Sequence, residues 1–261
     1  MRLTNRQRAV LQRYYPVAAN LFSNLNTQIA QHFIQSYPTP RSAAGLDRLA
    51  FQAFTQKHRY NHADKLPGIL AELQQPYPEA DEIIVEACYQ EAQSLATLLL
   101  TLITTKNAML KETQHLFTQH PDHYIYASLP GTGAYLQPAL LSKFGDDRRR
   151  FPSASRVQAR AGTSPVLISS GKRNRVQFRH SCDHEFRCIS QQWAKASLRS
   201  SVWANAYYAR IRPHCASESH AYRCLANRWL AILWRLWQDR KPYDEIYHMQ
   251  QRMLRSRPRM N

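Results

Sequence analysis

The stretch PEADEIIVEACYQEAQSLATLLLTLITTKNAMLKETQHLFTQHPD, residues 78–122, decides the fold of this chain. It opens with acidic side chains, which suit the positive end of a helix dipole, and after its first residue no proline occurs before Pro121. We therefore predict a single helix of roughly 40 residues, which at 1.5 Å per residue would be about 60 Å long. A helix of that length is too long for a small globular core, so it needs partners along its surface.

Apolar residues recur at every seventh position of this helix. The repeat favours a coiled coil between chains, while the sparse charges at the flanking e and g positions leave an intramolecular bundle as the alternative. The repeating positions are Cys88, Leu95, Leu102, Met109 and Leu116, with Ala92, Leu98 and Leu99 filling much of the stripe.

The rest of the chain also favours helices. Prolines punctuate short helical segments up to residue 78, and we predict two later helices over 185–210 and 220–238. The second has one apolar face, typical of a buried helix, with base stacking by its tryptophans as the alternative; the face comprises Leu225, Trp229, Leu233, Leu236 and Trp237. We predict a mainly α fold, in which a long helix or coiled coil precedes a compact helical domain with a helix-hairpin-helix-like turn. The predicted segments are a helical linker region (1–78), the long helix (79–120), the compact domain (121–250) and a basic tail (251–261).

The charge is strongly basic and unevenly distributed. The chain has 261 residues, with 35 Lys and Arg against 18 Asp and Glu, a formal net charge of +17. Residues 1–120 carry 11 basic and 9 acidic side chains, whereas residues 121–261 carry 24 and 9. The second half therefore attracts polyanions, of which nucleic acid is the commonest. An anionic membrane surface is the rival partner, but no separate polybasic amphipathic helix supports it.

The sequence favours a cytoplasmic, nucleoid-associated protein. The first residues lack the apolar core of a secretory signal, and the most apolar run, 95–103, is too short to span a bilayer. The five cysteines are an odd number without a CxxC motif, which is typical of reduced thiols. Histidines and cysteines crowd two places, but their spacing fits no standard zinc ribbon or finger, so we predict no metal site; they are His180, Cys182, His184 and Cys188, then His214, Cys215, His220 and Cys224.

Five of the seven glycines lie within residues 131–171, which marks where the backbone turns tightly or approaches a ligand. The segment begins with SLPGTG, residues 128–133, between two helical stretches. Pro-Gly-x-Gly in this position is typical of a helix-hairpin-helix turn, whose backbone N–H groups contact phosphates. We predict that Gly131 and Gly133 contact nucleic acid, with a plain helix–helix turn as the alternative.

An uninterrupted basic stretch follows this turn. Between residues 148 and 179 there are nine basic side chains and no acidic one, which repel one another unless a polyanion is bound. We predict phosphate contacts by seven of them: Arg148, Arg149, Arg150, Lys172, Arg173, Arg175 and Arg179.

The most informative part of this stretch is SSGKRNR, residues 169–175. Eight residues separate Gly162 from Gly171, where a nucleotide-binding P-loop has four, and Arg173 stands where that motif has Ser or Thr. A GxSxG nucleophile elbow is not formed either. A serine nucleophile needs a base or a metal, and the nearest downstream acids are Asp183 and Glu185. Local chemistry alone leaves a catalytic serine at 169 or 170 and a solvated basic turn both open.

Several blocks in one order resemble a known family. They are SLPGTG, LLSKFGDDRRRFPSA, QARAGTSPV, SSGK, SLRSSVWANAYYARIR and LANRWLAILWRLWQDRKPYDE, within residues 126–248. This part is similar to the C-terminal domain of the insertion-sequence "one-ten" family of transposases. LQRYYP, SYPTP and the long helix resemble the family's linker and coiled coil more loosely.

The resemblance implies a function. Members are bridge-RNA-guided DNA recombinases, in which a resolvase-like DEDD domain holds divalent metal through four acids and a second domain supplies a serine nucleophile. The resemblance places that serine at Ser170, followed by Gly171, with Lys172, Arg173 and Arg175 neutralising phosphate charge. The expected partners are DNA, a bridge-type RNA, further copies of the chain and a full-length transposase, with no membrane.

The chain departs from the family in one respect. It begins at what looks like the end of the first domain, so the acidic tetrad has no counterpart. We expect a C-terminal fragment for DNA transposition that binds no cofactor itself, with Mg²⁺ present only in the missing N-terminal domain. The alternative is a catalytically inactive DNA- or RNA-binding remnant that oligomerises through its coiled coil.

Overall fold

The structure is a computed structural model that describes residues 2–75, 80–170 and 173–256, without the side chains of residues 169, 170, 173, 174, 255 and 256. Within these ranges the predicted mainly α class is confirmed, and no helix combines the length and apolar character that a membrane span requires. The elements in chain order are α1 (Arg2–Tyr14), α2 (Pro16–Asn20), α3 (Gln28–Ser36), α4 (Pro40–Ala44), α5 (Arg48–Lys57), α6 (Leu66–Leu73), α7 (Glu82–Gln119), α8 (His123–Ala127), α9 (Gly133–Phe144), α10 (Ala154–Arg160), β1 (Val166–Ser170), β2 (Arg173–Gln177), α11 (His184–Ser197), α12 (Val202–Ile211), α13 (Glu218–Asp239) and α14 (Glu245–Ser256).

The predicted long helix is α7, with 38 residues. The Asp81 carboxylate accepts a hydrogen bond from the backbone N–H of Ile83 at 2.9 Å, which satisfies one of the open donors of the first turn. The chain divides into two compact units within this helix, an N-terminal unit (Met1–Met109) and a C-terminal unit (Leu110–Asn261). The domain boundaries proposed from the sequence stay a prediction; residues 76–79 and 257–261, at the linker and in the basic tail, lie outside the described ranges.

Aromatic and aliphatic side chains from α1 to α7 form the core of the N-terminal unit. A polar pair lies inside it: Gln7 and Gln31 are fully buried and exchange amide hydrogen bonds of 2.7 and 2.9 Å. Gln31 also donates to the carbonyl of Leu25, at 2.5 Å. These bonds compensate the desolvation of the amides, so the pair ties α1 to α3.

The heptad stripe of α7 has two different environments. Cys88 and Leu95 are buried, at 7% and 8% exposure, whereas Leu102 and Leu116 are 55% and 57% exposed. The first half of the stripe therefore serves the core of the N-terminal unit. A coiled coil between chains stays a prediction for the exposed second half.

The core of the C-terminal unit is built around α11 and α13. Trp193 on α11 and Trp229 on α13 have no exposed surface, and their ring centroids lie 5.1 Å apart. The predicted apolar face of α13 is confirmed, because Leu225, Trp229, Leu233 and Trp237 are fully buried. Rings without exposed surface cannot stack on bases, so that alternative is excluded for Trp229 and Trp237.

Two features differ from the sequence prediction. Residues 185–210 form two helices, α11 and α12, because Ser201 interrupts the run: its hydroxyl accepts from the N–H of Ala204 at 3.0 Å and donates to the Glu245 carboxylate at 2.9 Å. Strands β1 and β2 form an antiparallel hairpin that the helical prediction did not contain. The apolar residues of the hairpin are exposed and do not alternate with polar residues in the way that a half-buried strand requires, so the sequence gives no strand pattern here. They are Leu167, Ile168 and Val176.

Candidate nucleic-acid interface

The PGTG turn joins α8 to α9 and is packed onto α11. Gly131 has φ of +75°, and a Cβ at this position would lie 2.6 Å from the backbone carbonyl carbon of Ala196. The Pro130 carbonyl accepts from the Trp193 indole N–H at 3.0 Å, and the buried Thr132 hydroxyl donates to the Leu129 carbonyl at 2.9 Å. Gly131 is therefore required by packing inside the unit, whether or not it also faces a ligand.

Gly133 differs from Gly131 in its surroundings. It also has a positive φ, of +53°, but nothing lies within 4 Å of the position that a Cβ would occupy. It begins the twelve-residue α9, whose N-terminus has no side-chain cap hydrogen bond from Thr132. Open N–H groups at the positive end of a helix favour an anion, so of the two predicted glycines Gly133 is the one with room for a phosphate.

The three consecutive arginines have unequal environments. Arg148 points inward: its guanidinium forms a 2.6 Å ion pair with Asp122, donates to the Trp237 carbonyl at 3.0 Å and lies 4.9 Å from the Trp237 ring centroid. The hydrogen bond to Asp122 raises the pKa of Arg148. Arg148 thus supports the fold, and its contact with nucleic acid stays a prediction.

The other two arginines of the turn face solvent. The Arg149 side chain is 93% exposed and pairs with the exposed Asp147, at 3.1 Å. Arg150 is exposed and lies 5.3 Å from the ring centroid of Phe151. Because exposed ion pairs contribute little, both guanidinium groups are accessible to a phosphate.

The hairpin carries the SSGKRNR segment. Ser170 is the last residue of β1 and is paired with Arg173, while Arg175 is paired with Ile168 and is exposed. Gly171 and Lys172 lie outside the described residues, as do the side chains of Ser170 and Arg173. Their predicted catalytic and phosphate-binding parts therefore stay predictions, but the register makes Ser170 and Arg173 direct cross-strand neighbours.

Arg179 and Arg187 hold the base of this hairpin. Arg179 donates to the Ser164 carbonyl at 3.3 Å, and Arg187 donates to the Arg179 carbonyl at 2.5 Å. The Arg187 guanidinium also lies 4.5 Å from the ring centroid of Phe178. Arg179 is consequently half-buried and engaged with backbone, and Arg187 was not identified from the sequence because an isolated arginine on a helix gives no signal.

The two acids nearest to the hairpin in sequence are both engaged. The Lys143 ammonium lies 3.1 Å from Asp183 and 2.5 Å from Glu185. Burial alone would raise the pKa of Asp183, but hydrogen bonds from the Phe186 N–H and from Lys143 outweigh it and lower that pKa below its ordinary value of 3.8. Both carboxylates therefore form ion pairs with the Lys143 ammonium instead of standing free.

The Asp183 carboxylate makes the free energy of unfolding depend on pH in the acid range. The pKa of Asp183 is lower in the folded state than in the unfolded state, so the unfolded state binds more protons in acid. The contribution of Asp183 to the free energy of unfolding is therefore complete at neutral pH and is lost as the pH falls below about 4. We expect Lys143→Met to lower the free energy of unfolding by about 1 kcal/mol at pH 7 and by less at pH 3. Urea unfolding at both values, with Lys241→Met as the exposed control, measures this; equal losses for both variants at pH 7 would contradict it.

The structure also shows which ligand-type side chains meet. Among the described residues, Cys215, His220 and Cys224 have their ligand atoms within 4.8 Å of one another. A second group, His120, Asp122 and Asp146, meets the same distance. The spacing C-x4-H-x3-C matches no standard zinc motif, so only the turn before α13 shows that the three side chains meet.

Each predicted motif is attached to the same pair of helices. The PGTG turn packs on α11 through Gly131, the arginine turn on α13 through Arg148, and the hairpin base on α11 through Arg187. These helices form the core of the C-terminal unit, so the basic motifs are presented by one rigid framework. That arrangement is typical of a strongly basic helical unit that binds a polyanion.

Comparisons with known proteins show what this unit is similar to. Residues 124–209 match the family model described as "Transposase IS116/IS110/IS902 family". The chain is 29% identical over 252 residues to the "Mini-circle putative transposase for IS117" of Streptomyces coelicolor, an alignment that covers 93% of this chain and 60% of that protein. It is 28% identical over 257 residues to the "Insertion element IS900 uncharacterized 42 kDa protein" of Mycobacterium paratuberculosis, covering 92% and 62%.

The matched residues 124–209 include Gly131, Arg149 and Ser170, so the similarity to this transposase family falls on the basic part of the C-terminal unit. The similarity to relatives extends beyond this domain over most of the chain. The chain spans about 60% of the length of these relatives.

Proposed function

We propose that this chain acts in DNA transposition as the serine-bearing part of a transposase, with Ser170 as the nucleophile for strand exchange. The observation that carries the proposal is the family match over residues 124–209, in which Ser170 ends a β-strand and is paired with Arg173. The exposed Arg149, Arg150 and Arg175 support DNA binding by the same unit.

The chemistry requires groups from this chain and from outside it. The Ser170 Oγ forms a bond to phosphorus as one bridging P–O bond of the DNA breaks; the serine loses its proton and the leaving oxygen gains one. The resulting phosphoserine keeps the energy of the phosphodiester for rejoining. Lys172, Arg173 and Arg175 neutralise the phosphate oxygens, and the open N-terminus of α9 at Gly133 contacts the backbone nearby.

Four acids of the C-terminal unit already pair with other side chains. Asp122 forms an ion pair with Arg148, and Asp146 lies 2.8 Å from the His120 ring nitrogen. Asp183 and Glu185 both form ion pairs with Lys143. Mg²⁺ binding by any of these four carboxylates would therefore compete with its present partner. We therefore assign the metal and the base to a separate acidic domain and derive no step through Mg²⁺ in this chain.

The partners follow from this division. A bridge-type RNA and the two DNA substrates bind the basic C-terminal unit, and a full-length transposase supplies the acidic domain. The exposed apolar stripe of α7, with Leu98 and Leu102 at 53% and 55% exposure, supports association with another copy of the chain.

A trapping experiment tests the proposed function. The chain is mixed with labelled donor DNA of its insertion sequence, the cognate RNA and the part of the IS117 relative that lies outside the alignment. We expect a covalent protein–DNA adduct that is absent with Ser170→Ala and unchanged with Ser153→Ala, which alters the N-cap residue of α10. An adduct that persists in Ser170→Ala, or no adduct with wild type when a complete relative forms one, would contradict the proposal.

The second candidate is an inactive DNA- or RNA-binding remnant. It is favoured by the engagement of Asp183 and Glu185, the nearest acids downstream of the hairpin in sequence, with Lys143. The same trapping experiment separates the two, because a remnant binds DNA with normal affinity but forms no adduct in the presence of the acidic domain.

Both candidates require electrostatic binding by the exposed arginines. We expect Arg149→Gln with Arg150→Gln to weaken duplex DNA binding and to reduce the slope of log K against log salt by about 2, roughly one for each phosphate that the protein no longer neutralises. Fluorescence anisotropy between low and moderate salt measures this. Arg13→Gln, an exposed arginine at the end of α1, is the matched control; a salt slope reduced equally by both changes would contradict the assignment.

A further inference from the structure

The turn between α12 and α13 contains a cluster of soft metal ligands. Cys215 follows the 3₁₀ turn Arg212–His214, and His220 and Cys224 lie one helical turn apart on α13. The Sγ atoms of both cysteines and a ring nitrogen of His220 all lie within 4.8 Å of one another. Residues at i and i+4 share one face of a helix, so two of the three ligands are aligned by the helix itself.

The backbone on both sides of the cluster is held in place. The Ser217 hydroxyl caps α13 by accepting from the His220 N–H at 3.2 Å, and the Arg212 guanidinium donates to the Cys215 carbonyl at 3.2 Å. On an adjoining face of α13, Ala221 and Leu225 are fully buried. The ligands are thus carried by a fixed turn and a packed helix, which is the preorganisation that a metal site needs.

The dimensions suit a tetrahedral ion. Zinc bonds of about 2.3 Å to sulfur and about 2.0 Å to nitrogen put the ligand atoms of a tetrahedron about 3.5–3.8 Å apart. Ligand atoms within 4.8 Å therefore need to approach by about 1 Å, which rotamer adjustments of half-buried side chains provide. The half-buried position also leaves a fourth coordination site open to water.

The chemistry of the donors selects the metal. Two thiolates and an imidazole form a soft set that suits Zn²⁺, and the absence of a carboxylate from this group does not suit Mg²⁺ or Ca²⁺. Metal binding would displace the thiol protons of both cysteines.

We propose that Cys215, His220 and Cys224 bind one Zn²⁺ ion, with water as the fourth ligand, and that the ion fastens the turn before α13 to the first two turns of that helix. The ion lies in the C-terminal unit, on residues that the proposed strand-transfer step does not use. The zinc site therefore holds or fails independently of Ser170.

Metal content and cobalt spectroscopy test the site. The full chain is purified in reductant, stripped with a chelator, reloaded with Zn²⁺ or Co²⁺ and desalted. We expect one equivalent of zinc and, with cobalt, a thiolate charge-transfer band together with the intense visible bands of tetrahedral coordination. Cys224→Ser and Cys215→Ser should lose both signals, whereas Cys188→Ser, which removes an exposed cysteine of α11 outside the group, should keep them.

A second measurement covers variants that fail to fold. In the wild-type chain, zinc should slow alkylation of Cys215 and Cys224 at least tenfold and leave Cys188 unchanged, as read by mass spectrometry of the labelled peptides. Equal protection of all three cysteines, zinc content unaffected by Cys224→Ser, or no zinc retained by a folded and reduced chain would each overturn the proposal. A disulfide between Cys215 and Cys224 that resists reduction would also overturn it.

Discussion

Replacement of Trp229 by alanine is expected to lower the free energy of unfolding of the C-terminal unit by about 3–5 kcal/mol. Trp229 has no exposed surface, and its ring centroid lies 5.1 Å from that of Trp193 and 4.8 Å from that of Trp203. Its indole N–H donates to the Ser197 hydroxyl at 2.9 Å. Truncation would leave a cavity between α11, α12 and α13 and would remove this hydrogen bond.

Urea unfolding followed by tryptophan fluorescence measures the loss, because all five tryptophans of the chain lie in the C-terminal unit. Trp229→Phe is the control: it retains most of the ring packing and loses the hydrogen bond, so we expect about 1–2 kcal/mol. DNA binding by folded Trp229→Phe should equal that of wild type. A selective loss of DNA affinity without loss of stability would mean that the ring contacts nucleic acid, contrary to its burial.

Replacement of Gly131 by alanine is expected to lower the same free energy by about 2–4 kcal/mol, from two causes. Its φ of +75° lies in the left-handed region, which L residues with a Cβ rarely adopt. The new Cβ would also lie 2.6 Å from the backbone of Ala196 and Ser197, so either the turn or the end of α11 would have to shift. Backbone on both sides leaves no flexible side chain to absorb the contact.

Gly133→Ala separates these two causes. Gly133 shares the positive φ but has open space where a Cβ would be, so only the backbone cost of about 1 kcal/mol applies. For Gly133→Ala we expect the loss in the free energy of DNA binding to exceed the loss in the free energy of unfolding. For Gly131→Ala we expect the loss in the free energy of unfolding to be the larger one. Equal losses of stability for the two variants would show that the close approach of Gly131 to α11 is relieved elsewhere.

The sequence alone was sufficient where a periodic pattern is long. The prediction of α7 was accurate to a few residues, since acids at one end and proline at the other delimit an uninterrupted run. The buried face of α13 was also predicted, because Leu225, Trp229 and Leu233 recur at helical spacing and large apolar side chains leave water when they can. The blocks from SLPGTG onward indicated the family domain that the comparisons found.

The sequence was insufficient where identical residues face different surroundings. Arg148, Arg149 and Arg150 are three identical residues in a row, and the sequence does not distinguish them. In the structure Arg148 is the one paired with Asp122, a residue 26 positions earlier. Gly131 and Gly133 are likewise equivalent in a PGxG motif, and only the approach of α11, more than 60 residues later, distinguishes them. Similarly, the break between α11 and α12 depends on Ser201 and on Glu245 from the start of α14.

Sequence patterns alone were therefore enough for the helical class, the long helix, the basic half of the chain and the resemblance of residues 124–209 to a transposase family, because these properties depend on periodicity, charge and residue order within short windows. Only the tertiary structure decided which basic residues face solvent, which glycine is required by packing, that the serine segment is a hairpin, and that Cys215 meets His220 and Cys224. The physical reason is that burial and pairing depend on contacts between residues far apart in the chain, and each such contact changes the free energy of a side chain by amounts that its neighbours in sequence do not reveal.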